Sequence, residues 1–170
     1  MSDPAAGGAR VARSLDELPE PAEIAGRSGL DFLQAVLAGQ LSGPPIGATL
    51  GFALTEVGPG RAVFEGMPEF RATNPMRGVH GGWYGAILDS CMGCAVMTTL
   101  RRGQLYTTLE YKVNITRALA LGTRVRAVGL VAHAGRRTGV ATGELRGIAD
   151  GRLYATASTT CLIMDAPAGS

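Results

Sequence analysis

The sequence predicts an α+β protein, an antiparallel sheet of about six strands wrapped around one long central helix. Three observations carry this. The stretch from His80 to about Leu100 lacks proline and is apolar over too great a length for a strand, so it reads as a helix of about twenty residues. Four strand-like segments follow it in series. Two more precede it, joined by Gly58-Pro59-Gly60.

Taken in order, residues 1–28 are rich in Ala, Gly, Pro and charge and read as a mobile tail with a short helix near SLDELPE. In Leu30–Leu41, helical spacing puts Phe32, Leu33, Val36 and Leu37 on one face, and SGPPIG is expected to stop that helix because proline cannot continue it. ATLGFALTEV and RAVFEGM form a hairpin across the Gly-Pro-Gly turn, and PEFRATNPMRG is a loop. After the long helix come LYTTLEYKVNITRA, TRVRAVGLVAHA, GVATGELRGIA and RLYATASTTCLIM. GRRT separates the second from the third, and Asp150-Gly151, a strong hairpin signal, the third from the fourth. In the first of the four, Thr108, Glu110, Lys112 and Asn114 alternate with Leu109, Tyr111, Val113 and Ile115, which predicts one polar and one buried face. No repeat and no second domain is visible: one domain spans 29–165, with a short tail at 166–170.

Composition narrows the function. A chain of 170 residues, 46% of them apolar, can bury a real core. A net charge of +2 gives no reason to expect nucleic acid or a membrane surface as the main partner. Fifteen arginines against the single Lys112 fit a Gly/Ala/Arg-rich codon bias better than a phosphate-gripping role. There is no unbroken apolar run of membrane-spanning length and no secretory h-region, and three cysteines are too few for a disulfide scaffold. The expected location is cytoplasmic.

The long helix carries an oddity. Asp89 sits in AILDSCMGCAVM, where little else is polar. Gly81, Gly85, Asp89 and Gly93 recur every four residues and so form one slowly drifting stripe. Each glycine costs a helix about 1 kcal/mol relative to alanine, so the stripe implies close approach by another backbone or a ligand. A turn at HGG with a half-exposed Asp89 would fit the spacing equally well, but the flanks Ala86, Ile87, Leu88, Ala95 and Val96 argue for burial. A carboxylate desolvated without a partner is costly or shifts its pKa upward, and chemistry is a common reason to keep one. Gly81 and Gly82 open the helix, where unpaired N–H groups and the dipole suit an oxyanion. Eight helical residues rise about 12 Å, so Gly81 and Asp89 of one chain cannot act on one carbonyl. Two antiparallel copies could, which favours a homodimer with shared sites.

NPMRGVHGG followed by AILD resembles the hotdog-fold acyl-CoA thioesterases of the PaaI type, related to phenylacetate-pathway and 4-hydroxybenzoyl-CoA thioesterases. GPPIGATLGF, TTLEYKVNITRAL and HAGRRTG extend the resemblance over roughly residues 29–164. It implies a hotdog fold, dimers often paired into tetramers, and no cofactor beyond the coenzyme A of the substrate. It also implies site roles. The Gly81 N–H polarises the thioester carbonyl, and Asp89 of the partner chain acts as nucleophile or general base. Asn74 holds the thioester or the water, and His80 shapes the loop. A Thr on the following strand orients the water, Thr108 fitting best with Thr107 beside it. Gly82, Arg136 and Arg137 are candidates for coenzyme A contacts, the two arginines having a solvated turn as their alternative.

Other motifs weigh less. Cys91 and Cys94 form C-x-x-C in mid-helix rather than at a helix N-terminus, and no second pair completes a zinc site, so packing is the expected role. Trp83 and Tyr84 read as packing residues and His133 as a solvent-facing strand residue. The leading expectation is hydrolysis of an acyl-CoA to a free acid and coenzyme A, without a metal. The alternative is a non-catalytic acyl-CoA-binding or sensor hotdog protein; a hotdog hydratase would need a different Asp/His arrangement.

Overall fold

The computed structural model describes residues 10–166. Its elements are β1 (Arg10–Val11), α1 (Pro21–Ala25), α2 (Gly29–Leu37), β2 (Ser42–Gly43), α3 (Ile46–Leu50), β3 (Phe52–Gly58), β4 (Arg61–Gly66), α4 (Gly81–Met97), β5 (Gln104–Ile115), β6 (Val125–Ala134), β7 (Thr138–Gly147) and β8 (Leu153–Asp165). Strands β3-β4-β6-β7-β8-β5 make one six-stranded antiparallel sheet in that order. The sheet curls around α4, which packs against all six strands. This is the hotdog architecture expected from the sequence.

Helix α4 is apolar nearly all round because it is nearly enclosed: eleven of its seventeen residues are buried. Ile87, Leu88, Cys91, Met92, Ala95 and Val96 are fully shielded. The sheet comes close enough that a Cβ on Gly129 of β6 would collide with the Cys91 carbonyl. At the far end the Gly29 N–H, opening α2, donates to the Leu100 carbonyl at 3.0 Å and ties α2 to the exit of α4.

Four expectations change. The tail expected over 1–28 is folded from Arg10 onward: β1 pairs in parallel with β2, and Ala12 and Ala25 are buried. Residues 1–9 and 167–170, the rest of the two expected tails, lie outside the described residues. Helix α2 stops at Leu37, four residues short of Leu41, and not at a proline. Gly39 turns left-handed (φ 72°), and the N–H groups of Gln40 and Leu41 both donate to the Ala35 carbonyl. The start of the first expected strand, ATL, belongs instead to α3, which Gly51 ends at φ 77°. Finally, β5 does not alternate simply. A bulge at Leu109, between Thr108 and Glu110, reverses the parity of the strand.

Candidate active site

The loop before α4 is built by Asn74. Its Oδ1 accepts from the Met76 and Gly78 N–H groups at 3.0 and 3.1 Å, and its backbone N–H donates to the Gly78 carbonyl. Arg77 takes a left-handed conformation (φ 65°) to complete this turn. Asn74 thus holds the loop with the atoms that would otherwise be free for a ligand. The loop ends at His80, the N-cap of α4. Its Nδ1 accepts from the Gly82 N–H at 2.9 Å, and its carbonyl accepts from the Trp83 N–H at 3.0 Å. The Gly81 N–H has no acceptor among the described residues. His80, Gly81 and Gly82 are all exposed, so this one unsatisfied donor opens outward at the positive end of the helix dipole.

One turn further, Trp83 and Tyr84 anchor the helix. The indole Nε1 donates to the Leu50 carbonyl at 2.7 Å, and the Tyr84 hydroxyl accepts from the Leu119 N–H at 2.8 Å. Both side chains are buried packing residues, as expected.

The glycine stripe faces β5, and side chains of that strand fill it. Ile115 lies over Gly81, Tyr111 over Gly85 and Tyr106 over Gly93. A Cβ would stand 3.2 Å from the Tyr111 ring at Gly85 and 2.9 Å from the Tyr106 hydroxyl at Gly93. Within the chain, therefore, side chains rather than another backbone approach the stripe. Between the two tyrosines Asp89 meets Thr108, whose Oγ1 donates to Oδ1 at 3.1 Å. The bulge at Leu109 makes this possible: it lets Tyr106 and Thr108 share the inner face with Tyr111 and Ile115. Thr107 is exposed on the opposite side, so Thr108 is the threonine that touches the carboxylate.

Asp89 is half-buried, has no ion-pair partner among the described residues and is held by Thr108 alone. Burial raises its pKa above the ordinary 3.8, partly opposed by the Thr108 hydrogen bond. The carboxylate, Ser90 and Thr108 line a cavity of about 490 Å³ whose other walls are almost wholly apolar. Cys91 and Cys94 are free thiols pushed up by burial, Cys94 to about 12, which makes them poor nucleophiles at neutral pH. Among the described residues no three His, Cys, Asp or Glu side chains gather as a metal cage, and no helix is long and apolar enough to cross a membrane.

The structure brings Asp89 and Thr108 together and puts Asn74, His80, Gly81 and Gly82 together at the head of α4, where Gly81 lies eight residues along the helix from Asp89. Arg136 and Arg137 are exposed in the β6–β7 turn. That turn lies at the sheet end where β5 begins, since Thr138 pairs with Leu162 and Leu162 with Thr107. His133 is exposed as expected. The cavity walls were not foreseen: they come from segments distant in sequence, and no local pattern marks them.

A bent sheet around one buried helix, with a carboxylate on the helix and an open helix N-terminus, defines a hotdog protein. The thioesterase superfamily model matches residues 77–154, the stretch that holds the helix head, Asp89 and Thr108. A conserved protein of Pseudomonas aeruginosa is 30% identical over 70% of this chain and 93% of its own, with a TM-score of 0.65. A point mutant of the phenylacetic acid degradation protein PaaI from Thermus thermophilus is 28% identical over 69% of this chain and 97% of its own, with a TM-score of 0.63. A hypothetical thioesterase from Streptococcus pneumoniae, solved with coenzyme A, shares the fold at 20% identity, over 71% of this chain and 93% of its own, with a TM-score of 0.63. No curated protein matches the chain. The chain belongs to the thioesterase superfamily, as a hotdog protein of the PaaI type.

Proposed function

We propose that the protein hydrolyses acyl-CoA thioesters to a carboxylic acid and coenzyme A. The observation that carries this reading is Asp89: a partly desolvated carboxylate with no cation beside it among the described residues, held by the Thr108 hydroxyl, on the wall of a largely apolar cavity. Ionised, it takes a proton from water as that water adds to the thioester carbonyl. The tetrahedral intermediate then breaks its C–S bond and releases the coenzyme A thiolate, which takes up that proton. By the covalent route Asp89 itself adds, the thiolate leaves, and water hydrolyses the resulting anhydride to the acid and free Asp89. Thr108 fixes the carboxylate or the water. The free Gly81 N–H of a second copy holds the developing oxyanion. Asn74 and His80 act by fixing the loop and cap that aim that N–H. The exposed Gly82, Arg136 and Arg137 suit the pantetheine and phosphates of coenzyme A. The coenzyme A held by the Streptococcus pneumoniae relative supports this substrate class.

A homodimer with two shared sites, alone or as half of a tetramer, follows from the distance between Gly81 and Asp89 along α4. It is supported by the outer edge of β5, which has no strand beside it among the described residues, and by the exposed Leu109, Tyr111 and Ile115 of that strand. The reading places the protein in the cytoplasm. Release of free thiol from an acyl-CoA panel tests the activity, and absence of turnover with retained binding would favour the non-catalytic acyl-CoA-binding alternative. Gly81→Pro tests the geometry. Proline suits the first helical position, and His80 already has the extended conformation (φ −64°, ψ 137°) that precedes proline. This variant should fold, lose the donor and lose about 10²–10³-fold in rate. Mixed and reassociated with Asp89→Asn, it should recover about a quarter of wild-type activity, because half the dimers hold one intact site. No recovery would mean that the two groups do not serve one site across the interface.

A further inference from the structure

The cavity beside Asp89 has a wall that the family match does not include. Val11, Leu18, Pro19 and Ile24 line it together with Leu33 and Val36 of α2 and Phe52, Ala53 and Leu54 of β3. These four residues precede the matched residues 77–154. They are held in place by the β1–β2 pairing, by the Arg10 Nε hydrogen bond to the buried Ser42 Oγ at 2.7 Å, and by the Gly103 N–H, which donates to the Ala25 carbonyl at 2.7 Å. The segment is therefore a fitted wall, and the apolar side chains on it are partly exposed.

We infer that this cavity is the acyl subsite, that it takes a medium- to long-chain unbranched hydrocarbon acyl group, and that residues 11–24 set the chain length. The inference rests on the thioesterase reading for the position of the carbonyl but not for the nature of the pocket. Three features support it. At about 490 Å³ the space lies in the range that encloses a drug-sized ligand and exceeds what an acetyl group needs. Its polar lining is confined to a few groups: Asp89, Ser90 and Thr108, where the thioester carbon would sit, Tyr106 and Cys94 from the same two elements, and Arg10 and Ser42 of the β1–β2 pair. The rest of the lining is hydrocarbon and backbone, with Asp89 and Arg10 as its charged residues.

Binding of non-hydrolysable S-alkyl-coenzyme A thioethers tests this apart from turnover. S-dodecyl-coenzyme A should bind the wild-type protein about a hundredfold or more tighter than S-butyl-coenzyme A, since each buried methylene contributes about a factor of four. Leu18→Trp and Ile24→Trp fill the cavity from the N-terminal side. Each is checked for folding by thermal melting, and the variant that melts like wild type should bind the dodecyl compound at least about tenfold more weakly and leave the butyl compound unchanged. Equal affinity for the two chain lengths in wild type overturns the inference, as does a preference that survives in the folded variants, or one that is matched by S-(2-phenylethyl)-coenzyme A. Chain-length-dependent binding without hydrolysis of dodecanoyl-coenzyme A would sustain the subsite and remove the hydrolase reading. Hydrolysis at one rate for every chain length would do the reverse.

Discussion

Helix α4 has two faces that solve the same packing problem in opposite ways. Toward β6 and β7 the helix supplies the bulk and the strands supply the space: Leu88 and Met92 press onto Gly143, and Val96 onto Gly139. Toward β5 the roles reverse, with glycines on the helix and Tyr106, Tyr111 and Ile115 on the strand. The first arrangement fills a core completely. The second leaves a gap between two tyrosines, and that gap holds the carboxylate, the threonine and the mouth of a cavity. Fold stability is concentrated on one side of the helix and candidate chemistry on the other.

Substitutions on the two sides should therefore separate activity from stability. The largest effect is expected from Asp89→Asn, with thioester turnover lowered about 10²–10⁴-fold. The native pKa of Asp89 lies above its unfolded value, so the native state holds the proton more tightly. Its contribution to stability is greatest below the ordinary pKa and is lost as pH rises through the raised one. At neutral pH Asp89→Asn should thus melt no lower than wild type. The rate of the wild-type enzyme should fall on the acid side at a pH above 3.8, where the carboxylate takes up its proton. A melting point well below wild type would make Asp89 a structural residue.

Leu88→Ala, one residue away on the closed face, should do the opposite. It should cost about 2–5 kcal/mol in chemical denaturation while the folded fraction keeps its turnover number. Thr108→Val preserves shape and removes the hydroxyl that donates to Asp89. A loss of about tenfold in kcat is expected, with little change in melting. Smallest is Gly93→Ala, in which the new methyl meets the Tyr106 hydroxyl; a net cost of about 1 kcal/mol is expected after the helix-propensity gain. Stabilisation by that substitution would show that Tyr106 yields freely and that the open face is not tightly filled.

The sequence makes this division only half visible. The long helix, the β3–β4 hairpin and the four late strands were legible, because length, periodicity and turn residues such as Asp150-Gly151 are local signals. So was the oddity of Asp89, a charge in an apolar run. The N-terminal segment was not: Val11, Leu18 and Ile24 are too sparse among Ala, Pro and charge to announce that they meet a sheet. The close approach implied by the glycine stripe was legible, but the tyrosines that fill it belong to a strand whose parity depends on the Leu109 bulge. Alternation alone would have put Thr108 with Glu110 and Lys112 on the far face. The choice between Thr107 and Thr108 was a question of register, and only the three-dimensional pairing answers it.

The same bulge divides β5 into two half-strands whose phases differ by one residue. Within the chain the bulge does not depend on packing of the residue at 109, because Leu109 itself is largely exposed. Removing the residue is another matter. A one-codon deletion there would restore a single phase along the strand and turn one half inside out. Either Tyr106 and Thr108 would leave the helix, or Tyr111, Val113 and Ile115 would. Within the chain the site therefore depends on the presence of a residue at 109 more than on its side chain, and a deletion there would damage the site although Leu109 touches nothing in it.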